Sequence, residues 1–147
     1  MRNAFATLLL VASALLPSGC LFSHGQFDLL GTGTAFDETQ ERFSRLVRWG
    51  HWEMAVPLVA EDQRDHFVEV MRKLDDVKFT DWEIITIDVA TGFDTARAEI
   101  LLEGYRESNL MRAEAVMVQE WERIPSIESE WVVRPDLDAV AIAFGAR

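Results

Sequence analysis

The chain is short of several residue types on which function often rests. It has one cysteine, one tyrosine and three histidines in 147 residues. A single cysteine excludes an intrachain disulfide, so an oxidising compartment would supply no covalent staple. Basic residues are outnumbered, 14 against 25 acidic ones, for a formal net charge of −11. Such a chain is repelled by nucleic acid and by anionic head groups, and nucleic-acid partners are excluded on that ground. No apolar run reaches the roughly 20 residues needed to span a bilayer. There is no G-x-S-x-G, P-loop or dinucleotide fingerprint, no internal repeat and no low-complexity segment. No cofactor is implied.

What is present is concentrated first at the N-terminus. A short basic start (Met1, Arg2, Asn3) precedes an apolar stretch from Ala4 to Leu16, and Ser18 and Gly19 precede Cys20. That is the layout of a cleaved secretory signal. The run LLLVASALLPSGC resembles a bacterial lipoprotein signal with its lipobox, matching at Ser18, Gly19 and Cys20 and departing at Pro17, where Leu is usual. The resemblance implies that Cys20 becomes the first mature residue and carries thioether-linked diacylglycerol and an amide-linked acyl chain. The bilayer is then the first partner, held by about 0.8 kcal/mol for each buried CH₂. Leu21 stands where lipoproteins retained at the inner membrane typically carry Asp, so the resemblance implies the outer membrane, facing the periplasm. Loss of Arg2 with the signal takes the formal charge from −11 to −12.

The sequence divides into a signal peptide over 1–19, a lipidated N-terminus and tether over 20–33, and one domain over 34–147 with an apolar C-terminal tail. The tether LFSHGQFDLLGTG has Gly, Ser and Thr breakers and no sustained period, with His24 as a solvated residue. The remainder is long enough for one real core and too short for two.

Within the domain, Thr34 with Asp37 predicts a helix start and Gly50 a stop, with Phe36, Phe43, Leu46 and Val47 on one face. A second helical stretch is expected over Trp52–Leu74, bent near Pro57, with Phe67, Val70, Met71 and Leu74 as its core stripe. From Val77 the period becomes extended. The run VKFTDWEIITIDV breaks strict alternation at Ile84-Ile85, which predicts either a bulge or a region covered on both faces. The run DTARAEILLEGYRE points Ala96, Ala98, Ile100 and Leu102 one way. A third strand over Leu110–Ile124 and a fourth, EWVVR, complete the set. The fold class is α+β: N-terminal helices packed on a curved antiparallel sheet of about four strands.

Helix, second helix with EDQRDHF, then FTDWEIITIDV, TARAEILLEGY, QEW and a later EW before VV resemble the nuclear-transport-factor-2-like, cystatin-like superfamily, especially its small bacterial lipoproteins. The resemblance implies a cone in which the sheet wraps a helix around a core or cavity. Members that are enzymes place Asp, Tyr or His inside the cone, where burial tunes the pKa. No counterpart is found: Tyr105 runs in phase with Glu103 and points outward. On the third strand the inward series holds one polar residue, Gln119, between Met117 and Trp121. Met117, Gln119, Trp121 and Trp131 are the candidate pocket lining. Asp81 and Glu83, in phase with Phe79 and Ile85, are the carboxylates to watch, and a solvated strand end is the simpler reading.

Asp62, His66, Glu69 and Lys73 share a helical stripe. Metal ligation is conceivable at such spacing, but an exposed ion-pair ladder is the better reading, and no metal site is expected. His51 with Glu53 lacks the P-C-x-x-C partner of a zinc deaminase. Trp49, His51 and Trp52 are read as a plug at the end of the core. In the tail, Val140, Ile142 and Phe144 alternate as a strand would, or form a short helix capped by Asp138 and stopped by Gly145. Either way the run is expected to dock on the domain or on a partner, docking on the domain being the leading expectation. The leading expectation is a non-catalytic, lipid-anchored envelope protein that binds an envelope partner or scaffolds. The alternative is a periplasmic small-molecule-binding protein using the cone cavity.

Overall fold

A computed structural model describes residues 32–125 and 130–146. The signal, Cys20 and His24 lie outside the described residues. Helix α1 (Thr32–Arg48) starts two residues before the expected Thr34, inside what was expected to be tether. It ends as the sequence dictates: Gly50 takes φ +72, and Gly50 N–H donates to Val47 O at 3.2 Å while His51 N–H donates to Leu46 O at 2.9 Å. These two bonds form a Schellman stop, which favours glycine at the left-handed position.

The expected long second helix is not formed over its first half. Residues Trp52–Met54, Val56–Leu58 and Glu61–Gln63 are separate 3₁₀ turns, and only Arg64–Lys73 is α-helical (α2). Pro57 sits in the first turn of the middle 3₁₀ segment, where its missing N–H is harmless. Val59 is extended and bridges to Val133, and Ala60 N–H donates to Val133 O at 2.9 Å. A segment that pairs with a sheet cannot also continue a helix.

Four strands follow: β1 (Val77–Val89), β2 (Thr95–Arg106), β3 (Arg112–Arg123) and β4 (Trp131–Asp136). They form one antiparallel meander in the order β1-β2-β3-β4. Helix α3 (Asp138–Ala143) closes the described chain. The fold is therefore α+β, with helices gathered on one face of a four-stranded sheet. Phe36, Phe43 and Val47 of α1, Phe67 and Met71 of α2, and Val140 of α3, with Phe144 just after it, bury against Ala98, Ile100, Leu102, Met117 and Trp121. Phe43 meets Trp121 edge-on at 5.8 Å and Phe36 meets it at 5.7 Å, a geometry that aligns ring edge with ring face.

Register in β1 departs from simple alternation twice, between Phe79 and Asp81 and between Ile84 and Thr86. Of the two alternatives at Ile84-Ile85 the bulge is the one formed, and both residues are exposed rather than covered, whereas the extra residue Thr80 was not anticipated. The first bulge is matched by Gly104, where a Cβ would come within 2.5 Å of the Lys78 carbonyl oxygen. Glycine lets the two backbones approach there.

The tail is a helix rather than a strand. Its N-terminal cap differs from expectation, because Leu137 holds the cap position and the Asp136 carboxylate accepts the Asp138 N–H at 3.1 Å. Gly145, at φ +67, ends it. The period of 3.6 separates the three large residues: Val140 and Phe144 are buried, while Ile142 is 79% exposed. Phe144 packs edge-on against Phe79 with centroids 5.5 Å apart. Docking is intramolecular.

Candidate functional site

The candidate pocket lining faces the interior, between the sheet and α1. Helical spacing places Gln40 and Ser44 on the same buried face of α1 as Phe36 and Phe43, and both are within the core. They meet Gln119, which β3 projects inward between Met117 and Trp121. Gln40 Nε2 donates to Ser44 Oγ at 3.0 Å and to Gln119 Oε1 at 3.3 Å. Gln119 Nε2 donates to Ser44 Oγ at 3.1 Å, and Trp121 Nε1 donates to Gln119 Oε1 at 3.2 Å. A buried amide without partners would cost about 1–3 kcal/mol, and these four side chains satisfy one another. The network holds no titratable group and so has neither an acid nor a base to offer.

Met117, Gln119, Trp121 and Trp131 are all buried, at 2% exposure or less. Gln119 and Trp121 are brought together, and Phe36 packs against both Trp121 and Trp131, the latter at 5.1 Å. Trp131 Nε1 is buried without a hydrogen-bond partner. Of the four, Trp121 alone reaches a surface depression of about 510 Å³, an open hollow bounded by Asp88, Val89, Arg97, Glu120 and Arg134. The other three contribute to core packing. Gln40 and Ser44 were missed by sequence reasoning, although the signal was there. Two polar residues stand at the stripe positions i+4 and i+8 from Phe36, where an amphipathic helix puts apolar ones.

The watched carboxylates lie elsewhere. Thr80 is the extra residue of the first bulge, so the phase inverts: Phe79 pairs with Gly104 on the helix-covered face, whereas Asp81 pairs with Glu103 and Glu83 with Leu101 on the opposite face. Asp81 and Glu83 are therefore exposed, in line with the simpler reading, but out of phase with Phe79, against expectation. Asp81 Oδ1 accepts the Trp82 N–H at 2.8 Å. Tyr105 faces outward as read, paired with Lys78 and Arg112.

The stripe Asp62, His66, Glu69 and Lys73 does not converge. Lys73 Nζ pairs with Glu69 at 2.9 Å, His66 Nε2 lies 3.4 Å from Asp138, and Arg134 holds Asp62 at 2.6 Å. The Arg134 hydrogen bond lowers the Asp62 pKa and raises that of Arg134, and the Lys73 bond lowers that of Glu69. These pairs are exposed: one lies within α2, one joins α2 to α3, and only Asp62–Arg134 ties a turn to the sheet. Among the described residues no three His, Cys, Asp or Glu side chains gather closely enough to share a metal ion. The expected aromatic plug is only Trp52, which packs on the core. Trp49 is 63% exposed, with the Arg48 guanidinium 5.2 Å from its ring centre, and His51 is exposed.

A second unforeseen group is Arg106, at the end of β2. Its guanidinium pairs with Asp76 at 3.0 Å, donates to Lys73 O at 3.2 Å and donates through Nε to Phe144 O. Ser108 Oγ donates to the same Asp76 at 2.7 Å. One cation thus ties the end of α2, the root of β1 and the end of α3.

The remaining distinctive surface is the distal half of β1. Trp82, Ile84, Ile87 and Val89 pair across to Leu102, Ile100, Ala98 and Ala96, so they belong to the apolar face. Yet Ile84, Ile85, Ile87 and Val89 are 36–48% exposed.

No family model matches the chain. No curated protein matches it either. Among solved structures, it is similar to the solution structure of a SEC-C motif containing protein from Rhodopseudomonas palustris, with a TM-score of 0.53 and 7% identity. The likeness covers 71% of this chain and 87% of that one and concerns the fold alone. No helix among the described residues is long and apolar enough to cross a membrane.

Proposed function

We propose that the protein is a non-catalytic, lipid-anchored envelope protein whose domain binds a partner, as a small lipoprotein of nuclear-transport-factor-2-like type would. The observation that supports this reading best is the contrast between a closed interior and an open strand. The interior position that could hold chemistry is filled by Gln40, Ser44, Gln119 and Trp121, hydrogen-bonded to one another. The distal half of β1 instead leaves apolar side chains accessible. A filled interior weighs against the small-molecule-binding alternative, since a ligand needs a concave site that buries most of its surface. Anchoring through Cys20 rests on the signal sequence, and the outer membrane on Leu21.

The anchor is tested by expressing the wild-type chain and Cys20→Ala in a Gram-negative host. Wild type should partition into detergent and yield an N-terminal peptide carrying the mass of acyl chains. The variant should remain unprocessed or lose both properties. An unmodified mature N-terminus at another residue would overturn the localisation.

A further inference from the structure

The two faces of β1 differ in chemistry. Trp82, Ile84, Ile87 and Val89 share the apolar face, and Asp81, Glu83 and Asp88 lie on the other, paired across to Glu103, Leu101 and Arg97. The strand itself carries a single basic residue, Lys78, which lies 3.7 Å from Glu107. Among the described residues no ion pair engages Asp81, Glu83 or Asp88; Arg97 is held instead by Glu99 and Glu120, each at 3.1 Å. The strand is also the end of the sheet, so one row of its backbone N–H and C=O groups has no strand beside it among the described residues. Near its root one such carbonyl is used, with Arg48 donating to Thr80 O at 2.8 Å. Beyond Asp81 no strand or backbone hydrogen bond meets this outer row among the described residues.

We infer that the Asp81–Val89 edge of β1 is a β-augmentation site for an extended partner segment that alternates apolar residues with Lys or Arg. Adding a strand would satisfy the free backbone groups, and the period of two would then sort the incoming side chains onto the two faces. Its apolar residues would extend the patch of Ile84, Ile87 and Val89, and its cations would lie beside Glu83 and Asp88. Opposite charges side by side on neighbouring strands stabilise the pairing, and like charges oppose it. That same rule disfavours a second copy of this chain, which would bring its own three carboxylates to the acidic face. The inference rests on the partner-binding reading above and is independent of the lipid anchor.

The test uses the full chain bearing Cys20→Ala, in detergent micelles, with a blocked peptide alternating lysine and valine and about eight residues long, enough to span the open edge. Binding should perturb or protect amides between Asp81 and Val89, seen by NMR or hydrogen exchange, and should weaken about tenfold as salt is raised from low to high. Ile87→Lys, and Glu83→Lys combined with Asp88→Lys, should each weaken binding at least about tenfold while leaving the melting temperature unchanged. A peptide with glutamate in place of lysine should not bind. The inference is overturned by absence of binding, by binding that maps away from β1, or by β1 amides already protected in a chain that dimerises with concentration. Detergent partition of the wild-type chain reads the anchor separately, so failure at the edge and failure of the anchor are distinguishable.

Discussion

The two edges of the sheet are managed in opposite ways. β4 is six residues long, carries Pro135, and has its outer side covered by Val59 and Ala60, with Arg134 tied to Asp62 beside it. Short length, proline and a covering segment are the usual means of keeping an edge from pairing. β1 is 13 residues long, has no proline and, among the described residues, has no segment paired along its outer side. It has two bulges and a row of carboxylates, which discourage pairing with a like strand and leave an oppositely charged one admissible. The comparison teaches that an edge can be closed by geometry or filtered by charge, and that only the filtered edge remains usable.

The largest effects should come from the closed side. Trp121→Ala, on the buried face of β3 beside Val133 of β4, should cost about 3–5 kcal/mol in chemical denaturation, and Phe43→Ala or Phe67→Ala should fall in the same range. Val133→Lys, which places a cation in the fully buried part of β4, should cost on the order of 4 kcal/mol. Ile87→Lys occupies an inner-face position on β1 and should stay within about 0.5 kcal/mol of wild type, because the side chain is already wet. Equal costs at Val133 and Ile87 would break the comparison.

An intermediate effect is expected at the root of β1. Arg106→Ala removes bonds to Asp76, Lys73 O and Phe144 O and should cost about 2 kcal/mol, since hydrogen bonds involving a charged group contribute about 1.5–3 kcal/mol. Its melting curve should show α3 released along with the domain's loss of stability, readable as faster exchange at Phe144. A variant with unaltered exchange there would show that α3 docks without the clamp.

How much of this was legible in the sequence depended on how far each residue's role is local. The strands were readable because Ala96, Ala98, Ile100 and Leu102 keep a period of two without interruption. The Gly50 stop was readable because a positive φ selects glycine. The phase of Asp81 and Glu83 was not, since it depends on one extra residue, Thr80, whose presence in a bulge is decided by the partner strand and by Gly104. The start of the second helix was misread over 52–63 because Val59 and Ala60 are claimed by β4, more than 70 positions away in the chain. Of the candidate lining, Gln119 was correctly placed inward, but its partners Gln40 and Ser44 were overlooked as polar members of an apolar stripe. Arg106 could not have been read at all, because its three partners come from three separate elements.

The smallest effect concerns pH at the β4 edge. Arg134 lowers the Asp62 pKa below its ordinary 3.8, so the pair's contribution is complete above that value and is lost as pH falls through the lowered one. Both groups are exposed, and the contribution should be slight. Asp62→Asn should lower the melting temperature a little at neutral pH, and the difference from wild type should vanish in strong acid. A difference that persists there would assign the effect to something other than the ion pair.

Amide hydrogen exchange on the free full chain compares the two edges most directly. The account predicts that Ala60 and the amides of Trp131–Asp136 that face β3 exchange only through large-scale opening, while the outward amides between Asp81 and Val89 exchange quickly. Uniform slow exchange along β1 would mean that its edge is already covered, and would contradict the claim that it is held open for a partner.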